Sequence, residues 1–290
     1  MAILELLQTN LTLFTGTGAL IGLMVGSFLN VVIYRLPIMM EQNWKRHCVE
    51  ASGASVSDVE VFNLIQPRSR CPQCGHRISV AENIPVISYL LQRGCCSNCN
   101  AGIPVRYPIV ELLTAASSAY VAWHFGFGWE SVSALVITWS LITLAYIDLD
   151  HQLLPDSITL PMLWLGLLAS LLPVFADAHS SIVGAAAGYL SLWCVYQLFR
   201  IATGKEGMGF GDFKLLGMLG AWMGWQALPV IILMSSLVGA VVGISMILMK
   251  RHERANPIPF GPYLAAAGWI TLLWGDEITG FYLRIAGLSG

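Results

Sequence analysis

Runs of apolar residues long enough to cross a lipid bilayer recur along this chain, and they restrict its fold before any motif is considered. A spanning helix needs about 20 mostly apolar residues, with roughly 17 tolerated. Eight stretches are candidates, approximately 12–34, 108–125, 131–149, 157–175, 181–200, 213–227, 229–249 and 260–274, of which the sixth and eighth are short. Only 11% of the residues are charged and 56% are hydrophobic, against a charged share of about 25% in soluble domains. The expected fold class is an all-α polytopic membrane protein of about eight transmembrane helices with a small polar loop domain. The N-terminus lacks a basic n-region and a small-residue cleavage site, so residues 12–34 read as a retained span rather than a signal peptide. Tyr34, Trp123, Trp129, Trp222, Trp225 and Trp274 lie near the ends of the runs, where an interfacial belt places them.

Basic residues set the expected orientation, because Lys and Arg concentrate in cytoplasmic loops. With eight spans and the N-terminus outside, every one of the 15 Lys and Arg residues except Arg284 falls on the inner side. Were the sixth segment not to span, Lys250, Arg251 and Arg254 would move outside and the asymmetry would break. Both termini are then periplasmic, and the organisation divides into a first transmembrane helix (1–34), a cytoplasmic domain (35–107) and a membrane core (108–290). The net charge of −2 gives no reason to expect a nucleic-acid partner.

Within the polar stretch 35–107 lie Cys71-Pro-Gln-Cys74 and Cys96-Ser-Asn-Cys99. Two C-x-x-C pairs separated by 21 residues match a four-thiolate zinc site, each pair supplying two sulfurs to a tetrahedral ion. Two disulfides are the alternative, but structural disulfides are rare in the reducing cytoplasm. Cys95 is a possible substitute for Cys96. Four sulfurs leave no position for water, so such an ion is structural.

The chemistry-bearing residues of the membrane core are carboxylates. Residues 204–216 carry four glycines in eight positions ahead of Asp212, at the edge of an apolar run. An Asp in that place is also a favoured helix N-cap, and both readings stand for Asp212 taken alone. The cluster Asp148-Leu-Asp150-His151 lies 64 positions earlier, at the end of another apolar segment. Acids there oppose the helix dipole and are not explained as caps. Ionisable groups in a membrane are costly and tend to mark function, and two adjacent carboxylates share a proton in the manner of an aspartic dyad. Such a pair hydrolyses peptides without metal or covalent intermediate. There is no H-E-x-x-H and no G-x-S-x-G to support another protease chemistry.

Other polar residues have quieter readings. Asn30 suits a helix-to-helix hydrogen bond, and Gly184 and Gly188 suit close helix packing. Asp156 follows Pro155 and reads as an N-cap, and Glu111 is either functional or paired with Arg106. Lys250 to Arg254 reads as a charge anchor, and Asn256 to Pro262 as a stiff turn. A proton-coupled transporter is a rival reading, but it calls for acids near mid-membrane and matching halves, which the chain lacks. A scaffold with a zinc module and capping aspartates is another.

Taken together, the segments resemble the bacterial type IV prepilin peptidases, the prepilin leader peptidase/N-methyltransferases of the G-x-G-D intramembrane aspartic protease group. The residues that carry the resemblance are Gly26 to Pro37, both cysteine pairs, Glu82 to Tyr89, Arg106 to Glu111, Asp148 to Asp156 and Gly209-Phe-Gly-Asp212-Phe-Lys214. The resemblance implies that Asp148 and Asp212 are the catalytic pair and that Cys71, Cys74, Cys96 and Cys99 hold zinc. It implies cleavage of prepilins and pseudopilins after a Gly at the cytoplasmic face of the bacterial inner membrane, in support of pilus assembly and type II secretion. It also implies methylation of the new N-terminus from S-adenosylmethionine, for which residues 35–107 show no glycine-rich nucleotide fingerprint.

Overall fold

The computed structural model describes residues 2–52, 62–205, 207–248 and 259–285. The basic cluster Lys250, Arg251 and Arg254 and the first residues of the Pro-rich turn, Asn256 to Ile258, lie outside the described residues. Among the described residues the regular elements are all helices, with two isolated bridges, Arg70 with Arg77 and Cys95 with Gly102, as the β pairing. Two compact units divide between Phe127 and Gly128.

The first unit holds α1 (Ala2–Thr9), α2 (Leu11–Ala51), α3 (Ile87–Leu91) and α4 (Arg106–Phe125). Asn10 caps α2, its Oδ1 accepting from the Leu13 N–H at 3.0 Å. The helix is 41 residues long, about 60 Å at 1.5 Å per residue. Its apolar run ends at Tyr34, but the helix continues through Pro37 to Ala51. That extension is almost wholly exposed from Glu41 onward. It is a solvated helix braced by pairs such as Lys45 with Glu41, one turn apart at 2.6 Å.

Small residues bring α2 and α4 together. Gly18, Gly22 and Gly26 recur every fourth residue on one face, and a Cβ on Gly22 would stand 2.5 Å from Ser118 Oγ. Backbones this close gain dispersion contacts that larger side chains would prevent. Asn30 makes the expected interhelical bond, its Nδ2 donating to the Tyr107 carbonyl at 3.1 Å.

The second unit holds α5 (Trp129–His151), α6 (Asp156–Ala169), α7 (Ala178–Thr203), α8 (Phe210–Met223), α9 (Leu228–Leu248) and α10 (Gly261–Ile285). The core is α8, apolar on every side; Phe213, Leu215, Leu216, Met218 and Leu219 are fully buried. Gly188 of α7 meets it closely, since a Cβ there would lie 2.6 Å from the Leu216 carbonyl oxygen, and Gly184 packs on Gly220. Trp222 Nε1 donates to the Met162 carbonyl of α6 at 2.8 Å. On α10, Gly268 faces Leu219 of α8, and Trp269 Nε1 donates to Thr138 Oγ1 of α5 at 3.0 Å.

Four helical segments among the described residues are long and apolar enough to cross a membrane, Leu11–Ala51, Trp129–His151, Ala178–Thr203 and Trp225–Met246, and Asp156–Ala169 is a shorter apolar helix. The other expected spans fall on α4, which carries Glu111 and several hydroxyl residues, on the 14-residue α8 and on α10.

Candidate functional site

Asp148 sits in the last turn of α5 and Asp212 in the first turn of α8. Both are buried, 5% and 8% exposed, and the charge of Asp148 acts on Asp212. Asp212 is not a cap. The N-cap of α8 is Gly209, with no side-chain cap bond, and the Asp212 carboxyl makes no hydrogen bond among the described residues.

Asp148 has a partner that the sequence did not identify. Its Oδ2 accepts from the backbone N–H of Gly261, the first residue of α10, at 3.0 Å. The carboxyl therefore faces the positive end of one helix dipole while it stands at the negative end of its own. A Cβ at position 261 would lie 2.6 Å from that oxygen, so a side chain there would displace the carboxyl. Leu154 packs against the backbone beside each acid, 2.8 Å from where a Cβ on Gly211 would be and 3.3 Å from one on Gly261. Rings of Tyr189, Tyr196 and Phe210 surround Phe213, at centroid distances of 5.9, 5.7 and 5.4 Å, and fix the first turn of α8. Gly209, by contrast, has nothing among the described residues within 4 Å of where a Cβ would stand.

The neighbouring acids are arranged differently. The N-cap reading of Asp156 is corrected: Pro155 is the cap residue, Asp156 is the first helical residue, and both its carboxylate oxygens accept from Lys214 Nζ at 2.7 Å. A cation two residues beyond Asp212 draws the carboxylate away from the free N–H groups of its own helix. Asp150 and His151 are exposed. Glu111 does not pair with Arg106 as one of its two readings had it; it is buried, accepts from the Val86 N–H at 2.7 Å, and is also bonded by Ser27.

In the first unit the sulfurs of Cys71, Cys74, Cys96 and Cys99 all lie within 4.8 Å of one another. The pairs Cys71 with Cys99 and Cys74 with Cys96 are 3.8 and 4.0 Å apart. A tetrahedral ion with metal–sulfur bonds of about 2.3 Å requires sulfur–sulfur edges of about 3.8 Å, whereas a disulfide needs about 2.05 Å. The cluster fits one tetrahedral cation. Cys95 stands apart, its thiol on the Arg93 carbonyl at 3.7 Å, and it is the sulfur of Cys96 that lies in the cluster.

Both knuckles are built alike. The N–H of the fifth residue returns to the carbonyl of the first Cys, Gly75 to Cys71 at 2.9 Å and Asn100 to Cys96 at 3.0 Å. The fifth residue is left-handed in each, with φ of 70° at Gly75 and 56° at Asn100, the residue types that tolerate it. Hydrogen bonds from the His76 backbone and the Asn98 side chain hold the Cys74 thiol down to about 6, which favours the thiolate a metal needs. Glu82 ties the knuckles together: Ser97 Oγ of the second donates to it, the Ser79 N–H donates at 2.8 Å, and His76 Nε2 of the first lies 3.3 Å away. These bonds, led by Ser97, hold the Glu82 carboxyl down to about 2.

Comparison with known proteins assigns both units. The bacterial peptidase A24 N-terminal domain matches residues 20–125, and the type IV leader peptidase family matches residues 135–244. The chain is 56% identical over 290 residues to the prepilin leader peptidase/N-methyltransferase of Pseudomonas aeruginosa, covering 100% of both chains. It is 54% identical to the protein of that name from Stutzerimonas stutzeri, over 98% of this chain and 99% of the other. The one from Legionella pneumophila is 44% identical, over 91% and 92%. No solved structure matches the chain. With relatives this similar over the whole of its length, the chain belongs to the type IV leader peptidase family, the prepilin leader peptidase/N-methyltransferases.

Proposed function

We propose that this protein removes the leader peptide from type IV prepilins and pseudopilins and then methylates the new N-terminal amine, with Asp148 and Asp212 as the peptidase dyad. The observation that carries the reading is the buried pair itself, two carboxyls in an apolar helical unit within the residues that match the peptidase family. Two adjacent carboxyls share one proton. The ionised member takes a proton from a water as that water attacks the scissile carbonyl, and the protonated member donates to the carbonyl oxygen. As the tetrahedral centre collapses, the leaving amine takes up a proton and the dyad returns to its starting state. Gly261 positions Asp148 for this work.

The membrane arrangement we infer has eight spans, with the N-terminus periplasmic and the cysteine module and both acids at the cytoplasmic face of the bacterial inner membrane. The distribution of Lys and Arg supports it. Cleavage at that face lets the apolar segment of a prepilin remain in lipid while its leader stays in the cytoplasm. The domain division at 34 and 107 follows from the same reading.

The ion held by Cys71, Cys74, Cys96 and Cys99 is zinc in this reading, and when bound it fixes the two knuckles relative to each other. Methyl transfer draws on S-adenosylmethionine, which when bound supplies an electrophilic methyl group. An open surface cavity in the first unit is the place we infer for this donor. Its lining offers Arg68 for a carboxylate, Ser79 and Asn83 for hydroxyls and Phe28 for a planar ring. Incubating the purified protein with a prepilin and methyl-labelled donor, and reading the mass of the pilin N-terminus, tests the reading: leader loss with a gain of one methyl is expected, and an unprocessed prepilin would refute it.

A further inference from the structure

The segment that joins the two cysteine knuckles lies beside the apolar run of α2. Glu111 is in contact with Gly26: a Cβ on that glycine would lie 2.8 Å from the Glu111 Cα. Gly26 precedes Arg35, the first charged residue after the apolar run, by nine residues, or about 14 Å of helix. The Val86 N–H donates to Glu111 Oε2 at 2.7 Å, so Val86 stands within one side chain's length of this depth, short of the charged end of α2.

Around Val86 the chain is not suited to water. From Asn83 to Gln92 it carries no charge, and Glu82 and Arg93 flank it. Ile87, Leu90 and Leu91 are 56%, 68% and 80% exposed, while Ser88 and Tyr89 are partly covered. The outward face of α3, with Ile84 preceding it, is thus an apolar stripe at spacings of three and four, the reverse of a helix on an aqueous surface.

Several backbone groups of this segment are bonded within the protein. Val86 turns at φ 60° and ψ −48°, with the Ile87 N–H on the Pro85 carbonyl at 2.5 Å, a strained γ-turn for a β-branched residue. Its own N–H goes to Glu111, and the Ser88 and Leu90 N–H groups go to Ile84 and Val86 carbonyls at 3.1 and 3.0 Å. Non-helical backbone persists at membrane depth only where its polar groups are satisfied in this way.

We infer that Ile84–Leu91 is a re-entrant wedge whose exposed face inserts among the acyl chains and headgroups of the bilayer. The inference rests on the reading of α2 as a membrane span. The wedge ties the cysteine module to the membrane from which the new pilin N-terminus emerges, with Glu111 as its anchor in α4.

Benzoylphenylalanine placed singly at Leu91, at Met24 on the exposed face of α2 and at exposed Gln73 on the first knuckle, in the full-length protein in phospholipid liposomes, tests it. Lipid adducts are expected from positions 91 and 24 and none from 73. Loss of the adduct at 24 would overturn the reading of α2 and the wedge with it. An adduct at 24 without one at 91, or capture at 91 of added prepilin alone, would overturn the wedge only. Hydroxyl-radical footprinting of the wild type needs no substitution: Ile87, Leu90 and Leu91 escape labelling in liposomes while exposed Trp44 is labelled, and equal labelling would contradict the insertion.

Discussion

The backbone N–H of Gly261 reaches Asp148 Oδ2 at 3.0 Å across 113 positions of sequence, and it makes the start of α10 part of the acid pair. Gly261→Ala places a Cβ 2.6 Å from that oxygen, so the carboxyl must shift. A misplacement of this kind costs about 100-fold in rate, close to 3 kcal/mol of activation free energy. Prepilin cleavage is expected to lose kcat by that order with KM nearly unchanged, while methylation of a leaderless pilin continues. Steady-state kinetics of both activities on the same preparation check it.

Asp156 gives the contrasting case. Its ion pair with Lys214 is half exposed, and such pairs contribute about 0–1 kcal/mol. Asp156→Asn should therefore lower the unfolding temperature slightly and keep prepilin cleavage within a few-fold of wild type, measured by a melting curve and a cleavage assay.

Glu82 acts on the cysteine cluster without touching a sulfur. Removing such outer partners lowers metal affinity about 10- to 100-fold, so Glu82→Gln should release zinc to a chromophoric chelator faster than wild type. The carboxyl lies at about 2 instead of 4.5. Its support is accordingly complete above pH 4.5 and fades only as the pH falls towards about 2. Acid-induced metal loss nearer neutrality belongs to the thiolates, and chelator assays across that range separate the two.

Arg68 lines the cavity of the first unit and is exposed. Arg68→Ala should raise the KM for S-adenosylmethionine about ten-fold or more, the loss of one charge-assisted hydrogen bond of about 1.5–3 kcal/mol, and leave leader cleavage unchanged. Parallel assays of methylation and cleavage decide this.

The site was legible in sequence where its signal is local. Two C-x-x-C pairs announce themselves by spacing, and the repeated left-handed fifth residue explains why Gly75 and Asn100 follow them. Asp212 stood out because glycines surround it, and its lack of a capping bond removes the competing explanation. Relations between distant segments were not legible. Gly261 lies in a Pro-rich stretch that reads as a turn, and nothing local connects it with Asp148. The α2 helix runs on through Pro37, which by itself reads as a stop, and the Val86 γ-turn is held by Glu111, 25 positions away. Asp156 looked like a cap because position alone suggests one, whereas Lys214 is supplied by another helix.

The central claim is that Asp148 and Asp212 form one catalytic pair, and cleavage of a prepilin by Asp148→Asn and Asp212→Asn separately, in liposomes with folding verified, tests it most directly. Each substitution should lower kcat by about 1,000-fold or more while zinc content and methylation of leaderless pilin persist. Near-normal cleavage by either folded variant would contradict the dyad and require another source for the attacking water's activation.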